Sequence, residues 1–311
     1  MANIGDIGKA RTVTLKTGLE PAAVERAAGV RLNAVGGAHI VDDLIAERGQ
    51  KLVNSWSWPL VKPFLYRILH YREAVDMADQ IAPLDGASAM DYISRILNLD
   101  LDVTGLERIP KSGAFVMAIN HPTGIADGIA VYDALKMVRG DMSFFANRDA
   151  TRVNPRFADM IVPVEWREEH RSHAKTKETL RLASKAFTEN RAVVIFPSGR
   201  LAVWRDDGLI ERPWQPSMVT LARKYRVPIL PAHLDARNSW LFYWFANQNF
   251  TEMRDVTVFH ELLNKKGKTF RLRIGPLIAH DKIAGGDTAN VTDRLQHHCS
   301  RVLAEDANAE F

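Results

Sequence analysis

The sequence predicts an α/β fold with a mostly parallel central sheet flanked by helices, preceded by an N-terminal helical segment. Three observations predict it. From Leu101 onward, short apolar runs of strand length alternate with longer stretches of helical period. Ahead of them, between Val41 and residue 98, apolar residues recur at helical spacing. The polar residues of greatest chemical interest fall just after the apolar runs, where open α/β sheets bind ligands.

Residues 1–40 mix glycine, alanine and charge without a firm period, and are expected to form a loosely packed leader. The pattern from Val41 to Ile81 is helical, and Pro59 and Pro63 should divide it into at least two helices. A further helix is expected at about 87–98. Ser88 and Asp91 would form its capping box, and Ile93, Ile96 and Leu97 its apolar face. Predicted strands follow at Ala114–Ile119, Met142–Ala146, Ile161–Val164, Ala192–Phe196, Val227–Pro231 and Phe270–Ile274. Helices are expected between them at about 127–139, 171–189 and 216–225, with Leu180, Ala183 and Phe187 sharing one face of the second. The chain thus divides into a leader and helical segment, 1–99, and an α/β domain, 100–311.

Composition narrows the class. The chain has 311 residues, enough for a sizeable core, and 46% hydrophobic against 25% charged residues is ordinary for a globular protein. Its one cysteine, Cys299, allows neither an internal disulfide framework nor a cysteine-based metal cage. The first residues, MANIGDIGKARTVTLKTG, lack the apolar core of a secretory signal, and no apolar run approaches the roughly 20 residues of a membrane span. A net charge of +4 suits an anionic membrane surface or a phosphate-bearing substrate; no nucleic-acid motif accompanies it.

The strand AFVMAI runs directly into NHPTGIADG. His121 therefore sits at a strand's carboxyl end and Asp127 at the start of the next helix. Gly124 allows the tight turn between them and Pro122 stiffens it. A carboxylate bonded to one ring nitrogen fixes the imidazole tautomer and leaves the other nitrogen as a base. Spacing alone is weak evidence, because His70 and Asp76 are similarly separated in a helical stretch without that context. A second strand, AVVIF, ends in Pro197-Ser198-Gly199-Arg200, where Gly199 permits close backbone approach and Arg200 can pair with phosphate. A nucleophile elbow would need glycine where Phe196 stands, which argues against Ser198 as a nucleophile. His170 and His173, on a charged helix, fit a solvated face better than a metal site.

Taken together, NHPTGIAD, FPSGR and VPILP resemble, in order and spacing, the glycerolipid acyltransferase family typified by the bacterial lysophosphatidate acyltransferase. The closer likeness is to its hemolysin-like, lyso-ornithine-lipid acyltransferase branch, through FFANR, RPWQP, ARNSWLF and ELLNKKGKTFRLRIG as well. It spans about residues 100–280. The resemblance implies that His121 is a general base and Asp127 its partner, and that Asn147, Arg148, Ser198, Gly199 and Arg200 line the acceptor pocket. It implies acyl-CoA or acyl carrier protein as co-substrate, a lyso-lipid acceptor, and no metal or tightly held cofactor. Backbone N–H groups near Gly199 would hold the oxyanion. Two features depart from the family's commoner pattern. The His–Asp gap is five residues rather than four, and Ser198 stands where the commoner motif has glutamate, which puts glycerol phosphate recognition in doubt.

A lipid acceptor requires membrane access, and the expected location is the cytoplasmic face of the inner membrane, peripheral or monotopic. Lys51–Tyr71 interleaves Trp56, Trp58, Phe64, Tyr66 and Tyr71 with Lys62, Arg67 and, just beyond, Arg72, as interfacial helices do. The run Trp240–Phe245 is expected in the core or along an acyl channel. Two other functions use the same features: a lipid or thioester hydrolase with water at the His–Asp site, and a non-catalytic lipid-binding protein. The second leaves the base without a task.

Overall fold

The computed structural model describes residues 10–16, 39–165, 167, 170–205, 208–248 and 250–311. Strands β1 (Thr12–Lys16), β2 (Asp100–Thr104), β3 (Phe115–Ile119), β4 (Met142–Asn147), β5 (Ile161–Val164), β6 (Ala192–Ile195), β9 (Ile229–Asp235) and β10 (Thr269–Ile274) form one sheet, ordered β1-β2-β10-β9-β3-β6-β4-β5. Five of its seven pairings are parallel; β1 with β2 and β9 with β10 are antiparallel. The sheet class agrees with the sequence reading. β7 (Val203–Arg205) and β8 (Gly208–Ile210) make a separate hairpin.

The helices before β2 are α1 (Ile40–Arg48), α2 (Gln50–Val53), α3 (Trp58–Ile68), α4 (Tyr71–Ile81) and α5 (Gly86–Leu97). Those after it are α6 (Ile125–Lys136), α7 (Asp149–Val153), α8 (His173–Thr188), α9 (Ser217–Tyr225), α10 (Trp240–Asn247), α11 (Thr251–Val256), α12 (Val258–Leu263), α13 (His280–Ala284), α14 (Thr288–His297) and α15 (Leu303–Glu305). β3 (FVMAI) is buried at every position, as a central strand covered on both faces must be. β2, nearer the edge, buries only alternate residues. Ala74, Met77, Ala78 and Ile81 give α4 an apolar stripe at helical spacing, and with Val41, Leu44 and Ile93 they join the core formed by Leu101, Val103 and Met117.

Several local expectations are corrected. Thr12–Lys16, read as leader, is an edge strand: its Thr-Val-Thr start suits a pleated surface, and Thr12 meets Thr104 hydroxyl to hydroxyl at 2.9 Å. Residues 1–9 and 17–38 lie outside the described residues. Pro63 does not end a helix but sits inside α3, and Pro59 occupies its first turn, where a proline's missing N–H costs nothing. The breaks fall at Gly49, at 54–57 and at His70, which takes a left-handed conformation (φ 53°). Helix α5 is capped by Asp85, whose carboxylate accepts from the Ser88 N–H (2.9 Å); the supposed partner Asp91 instead accepts from the Tyr132 hydroxyl. Leu180 is 55% exposed, and α8 is buried through Ala183, Ala186 and Phe187. Among the described residues, no helix is long and apolar enough to cross a membrane.

Candidate active site

The end of β3 is fixed first. Asn120 is buried, and its carboxamide accepts from the Leu234 N–H (2.6 Å) and donates to the Leu234 carbonyl (2.9 Å), locking β3 to β9. His121 follows. Its carbonyl accepts from the Ala202 N–H (3.1 Å), which joins it to the chain just after Pro197-Ser198-Gly199-Arg200. Its ring is 19% exposed and packs on Phe196, centroid to centroid 4.3 Å.

Asp127 is completely buried, with one carboxylate oxygen 2.9 Å from His121 Nδ1. That oxygen, Oδ2, also accepts from the N–H groups of Thr123 (2.8 Å) and Gly124 (2.9 Å), while Oδ1 accepts from the Thr123 hydroxyl. These donors pin the carboxylate beneath the ring. Nδ1 lies off the line of a hydrogen bond, so the contact is a close approach that has not tightened into an aligned bond. Gly124 has φ 104°, and a Cβ there would meet Leu201 at 3.3 Å, so the turn uses its freedom.

A second carboxylate lies against His121, and it was not foreseen. Glu211, just after β8, accepts through Oε1 from the His121 backbone N–H (2.5 Å) and the Ser198 hydroxyl (3.3 Å). Oε2 accepts from the Trp214 indole N–H (2.8 Å). Burial raises its carboxyl above the usual carboxylate range, against the pull of those donors and of the His121 charge. Trp214, otherwise a core residue, is what ties RPWQP into the site. The sequence signal for Glu211 was slight: an acidic residue directly before that motif.

The other predicted residues divide. Ser198 is buried beside Glu211, and its single hydroxyl proton is shared between the Arg200 carbonyl (2.9 Å) and Glu211 Oε1 (3.3 Å). Gly199 is left-handed (φ 60°), and its N–H closes a turn onto the Phe196 carbonyl (3.0 Å); here that N–H is engaged rather than presented to an oxyanion. Arg200 is exposed. It crowds Arg212 together with Arg205 and Arg254, and burial plus this repulsion lowers the Arg212 pKa. Asn147 and Arg148 end β4, two strands from β3. Asn147 is bonded to Asp149, and Arg148 pairs with Glu178 of α8 (2.6 Å). Both face a salt-bridge network that reaches Arg48 of α1 through Asp149 (2.7 Å). The Arg148 Nε and Nη2 groups are buried without a hydrogen-bond partner among the described residues.

A cavity of about 1230 Å³ opens beside His121, lined by its neighbours Asn120 and Pro122. Trp204 and Ile210 of the hairpin form part of its wall, and Arg237 and Lys268 also line it. It lies toward β9 and β10 rather than over Asn147 and Arg148. A buried carboxylate, an imidazole and an adjoining cavity can together take a proton from a bound hydroxyl or water.

A family model described as Acyltransferase matches residues 100–235, from β2 to the end of β9, and includes His121, Asp127, Ser198 and Glu211. The chain is 23% identical over 221 residues to a lyso-glycine lipid O-acyltransferase of Phocaeicola vulgatus, covering 69% of this chain and 77% of that protein. Over residues 100–235 the chain is thus similar to the acyltransferase family. It is an O-acyltransferase. A second relative, a lyso-glycine lipid O-acyltransferase of Bacteroides thetaiotaomicron, is 24% identical over 189 residues, 60% of this chain and 67% of its own length. Among solved structures, the 1-acyl-sn-glycerophosphate (LPA) acyltransferase PlsC of Thermotoga maritima aligns with 86% of this chain and 99% of its own, at TM-score 0.44 and 15% identity.

Proposed function

We propose that this acyltransferase moves a fatty acyl group from a thioester, carried on CoA or acyl carrier protein, to the hydroxyl of a lyso-lipid. The observation that carries the reading is the His121–Asp127 pair at the end of β3, 2.9 Å apart beside an open cavity. With Nδ1 turned to Asp127, Nε2 is the nitrogen left to act. It takes the acceptor's hydroxyl proton as the oxygen attacks the thioester carbonyl. The tetrahedral intermediate then collapses, and the departing sulfur takes the proton back. Base assistance of this kind supplies roughly 10² to 10⁴ in rate. The thioester is a substrate, and the scheme needs no resident cofactor or metal. The names of the two relatives support a lyso-lipid acceptor, with a lyso-amino-lipid among the first to try.

In this reading the substrate resides in a membrane, at the cytoplasmic face of the inner membrane, and the exposed aromatic residues support peripheral, monotopic docking. Trp56 (87% exposed), in the turn before α3, and Leu60 (76%) and Phe64 (69%), four residues apart on α3, are the exposed apolar side chains there. Tyr66 and Tyr71 turn inward, their hydroxyls donating to Asp42 at 2.7 and 2.6 Å. The second aromatic run divides as well: Phe242 and Tyr243 are buried, while Trp240 is 74% and Trp244 40% exposed. The two regions adjoin, because the N–H of Lys51 donates to Glu252 of α11 (2.9 Å), the helix after α10. In this reading residues 1–99 form the leader and docking segment and 100–311 the catalytic domain. The test supplies purified protein with a labelled acyl thioester and vesicles with or without lyso-lipid. O-acylated lipid formed only when acceptor is present supports transfer; release of free fatty acid at the same rate in both arms overturns it in favour of hydrolysis.

A further inference from the structure

We infer that Glu211 is a positioning residue for acyl transfer: its half-buried carboxylate, at the cavity wall, fastens the His121 turn to the Ser198 turn, so that the base and the chain after β6 hold one geometry. The inference rests on the reading of His121 as the base.

Three donors from three separate parts of the chain converge on this side chain: the His121 main-chain N–H, the Ser198 hydroxyl and the Trp214 indole. A fourth, the Ser300 hydroxyl at the carboxyl end of the chain, stands at 3.5 Å. No cation appears among these donors, so no salt bridge among the described residues accounts for the carboxylate. Burying an acid in such a place is unfavourable unless its hydrogen bonds are made, and a site that only needed filling would be served by an apolar residue. The donor of shortest approach belongs to the backbone of the base itself. His121 is therefore held from three directions: its carbonyl by Ala202, its ring by Asp127, its N–H by Glu211. Misplacing a reacting group by about 1 Å can cost on the order of 10²-fold in rate. Freeing one of those three attachments should therefore reduce turnover more than substrate binding.

The geometry also supplies a test that a purely structural role would fail. The Ser198 hydroxyl points at the same oxygen of Glu211, 3.3 Å away. A carboxylate carried on residue 198 can thus occupy nearly the same point, entering from the other turn. Kinetics with vesicle-borne acceptor should be measured for E211A, S198E and S198E/E211A, alongside thermal unfolding. We expect E211A to lower kcat at least 30-fold with both KM values within threefold of wild type. The double variant should regain at least tenfold over E211A. S198E alone should be impaired, because two carboxylates then crowd one site. In an H121A background, E211A should cost less than threefold further, since residues acting as a unit are non-additive. A folded E211A retaining more than a third of wild-type kcat, or a double variant no better than E211A, overturns the inference. If E211A does not fold, E211Q keeps one acceptor but lacks the second, and a kcat for it within threefold of wild type overturns the inference equally. Wild-type transfer and the H121A loss, measured in the same assay, report separately on the role of His121.

Discussion

Replacing Asp127 separates two tasks of one carboxylate. The side chain is fully buried and accepts from two backbone N–H groups, at 2.8 and 2.9 Å, from a hydroxyl, and approaches the His121 ring. In D127A both N–H groups lose their partner in a dry site. At about 1–3 kcal/mol each, the loss is roughly 2–6 kcal/mol, a large share of the ~5–15 kcal/mol that holds a typical domain folded. D127N differs. Its carbonyl oxygen can stand where Oδ2 stands and keep both N–H bonds, and its NH₂ can face the Thr123 hydroxyl, which can rotate to accept. Its stability loss should be about 1 kcal/mol, near that of one ordinary hydrogen bond. What it cannot keep is the negative charge beside the imidazolium that forms as the acceptor proton is taken. Charges about 4 Å apart interact by roughly 4 kcal/mol at an effective dielectric of 20, so losing even two-thirds of this slows turnover about 10²-fold. Steady-state kinetics and thermal unfolding on both variants give the comparison. D127N should be folded and slow, D127A unstable. D127N with kcat within threefold of wild type would refute the electrostatic role and leave Asp127 as a cap of its own turn.

Replacing Trp56 and Phe64 by serine removes two rings that are 87% and 69% exposed, so folding should hold while partitioning onto anionic vesicles falls. At about 1.5 kcal/mol per ring transferred, the loss is roughly 100-fold; unchanged co-sedimentation would assign docking to the Trp240 region. Arg200→Ala should raise KM for an anionic acceptor by about tenfold and leave that for the donor within threefold, because Arg200 adds to the positive field shared with Arg205, Arg212 and Arg254; the reverse split would assign it to the donor's phosphates. Asp133, half-buried on α6 and bonded by the Ser94 hydroxyl of α5 (3.0 Å), has its pKa pushed up to about 7 from 3.8 by desolvation. A raised carboxyl pKa gives stability that is full below pH 4 and lost as pH rises to 7. The stability of Asp133→Asn relative to wild type should therefore grow between pH 4 and 8 by up to roughly 4 kcal/mol, at ~1.4 kcal/mol per pKa unit. Denaturant titrations at the two ends check this, and a difference independent of pH would contradict it.

The sequence carried the sheet's central strands plainly, because FVMAI and AVVI are buried on both faces and so form unbroken apolar runs. β1 escaped notice because an edge strand of five residues alternates polar and apolar too briefly to stand out. Pro63 misled because a proline's effect depends on where the missing N–H falls, and here the helix continues through it. His121 and Asp127 were legible because one short turn sets their geometry. Glu211 was not. It comes from 90 residues further along and reaches His121 only through the hairpin and the Trp214 turn, which no local spacing encodes. The same is true of Arg148, whose partner on α8 is fixed by the sheet rather than by its own segment.

The most direct measurement is acceptor-dependent formation of O-acylated lyso-lipid by purified wild type and His121→Ala at equal, verified folded concentrations. The ring is partly exposed and caps no buried donor, so removing it should leave the thermal midpoint close to wild type. With His121 as the base, the variant should retain less than about one part in 10² of wild-type turnover, the lower limit of general-base assistance. A folded His121→Ala retaining more than a tenth of wild-type turnover would contradict the account, whatever the other variants do.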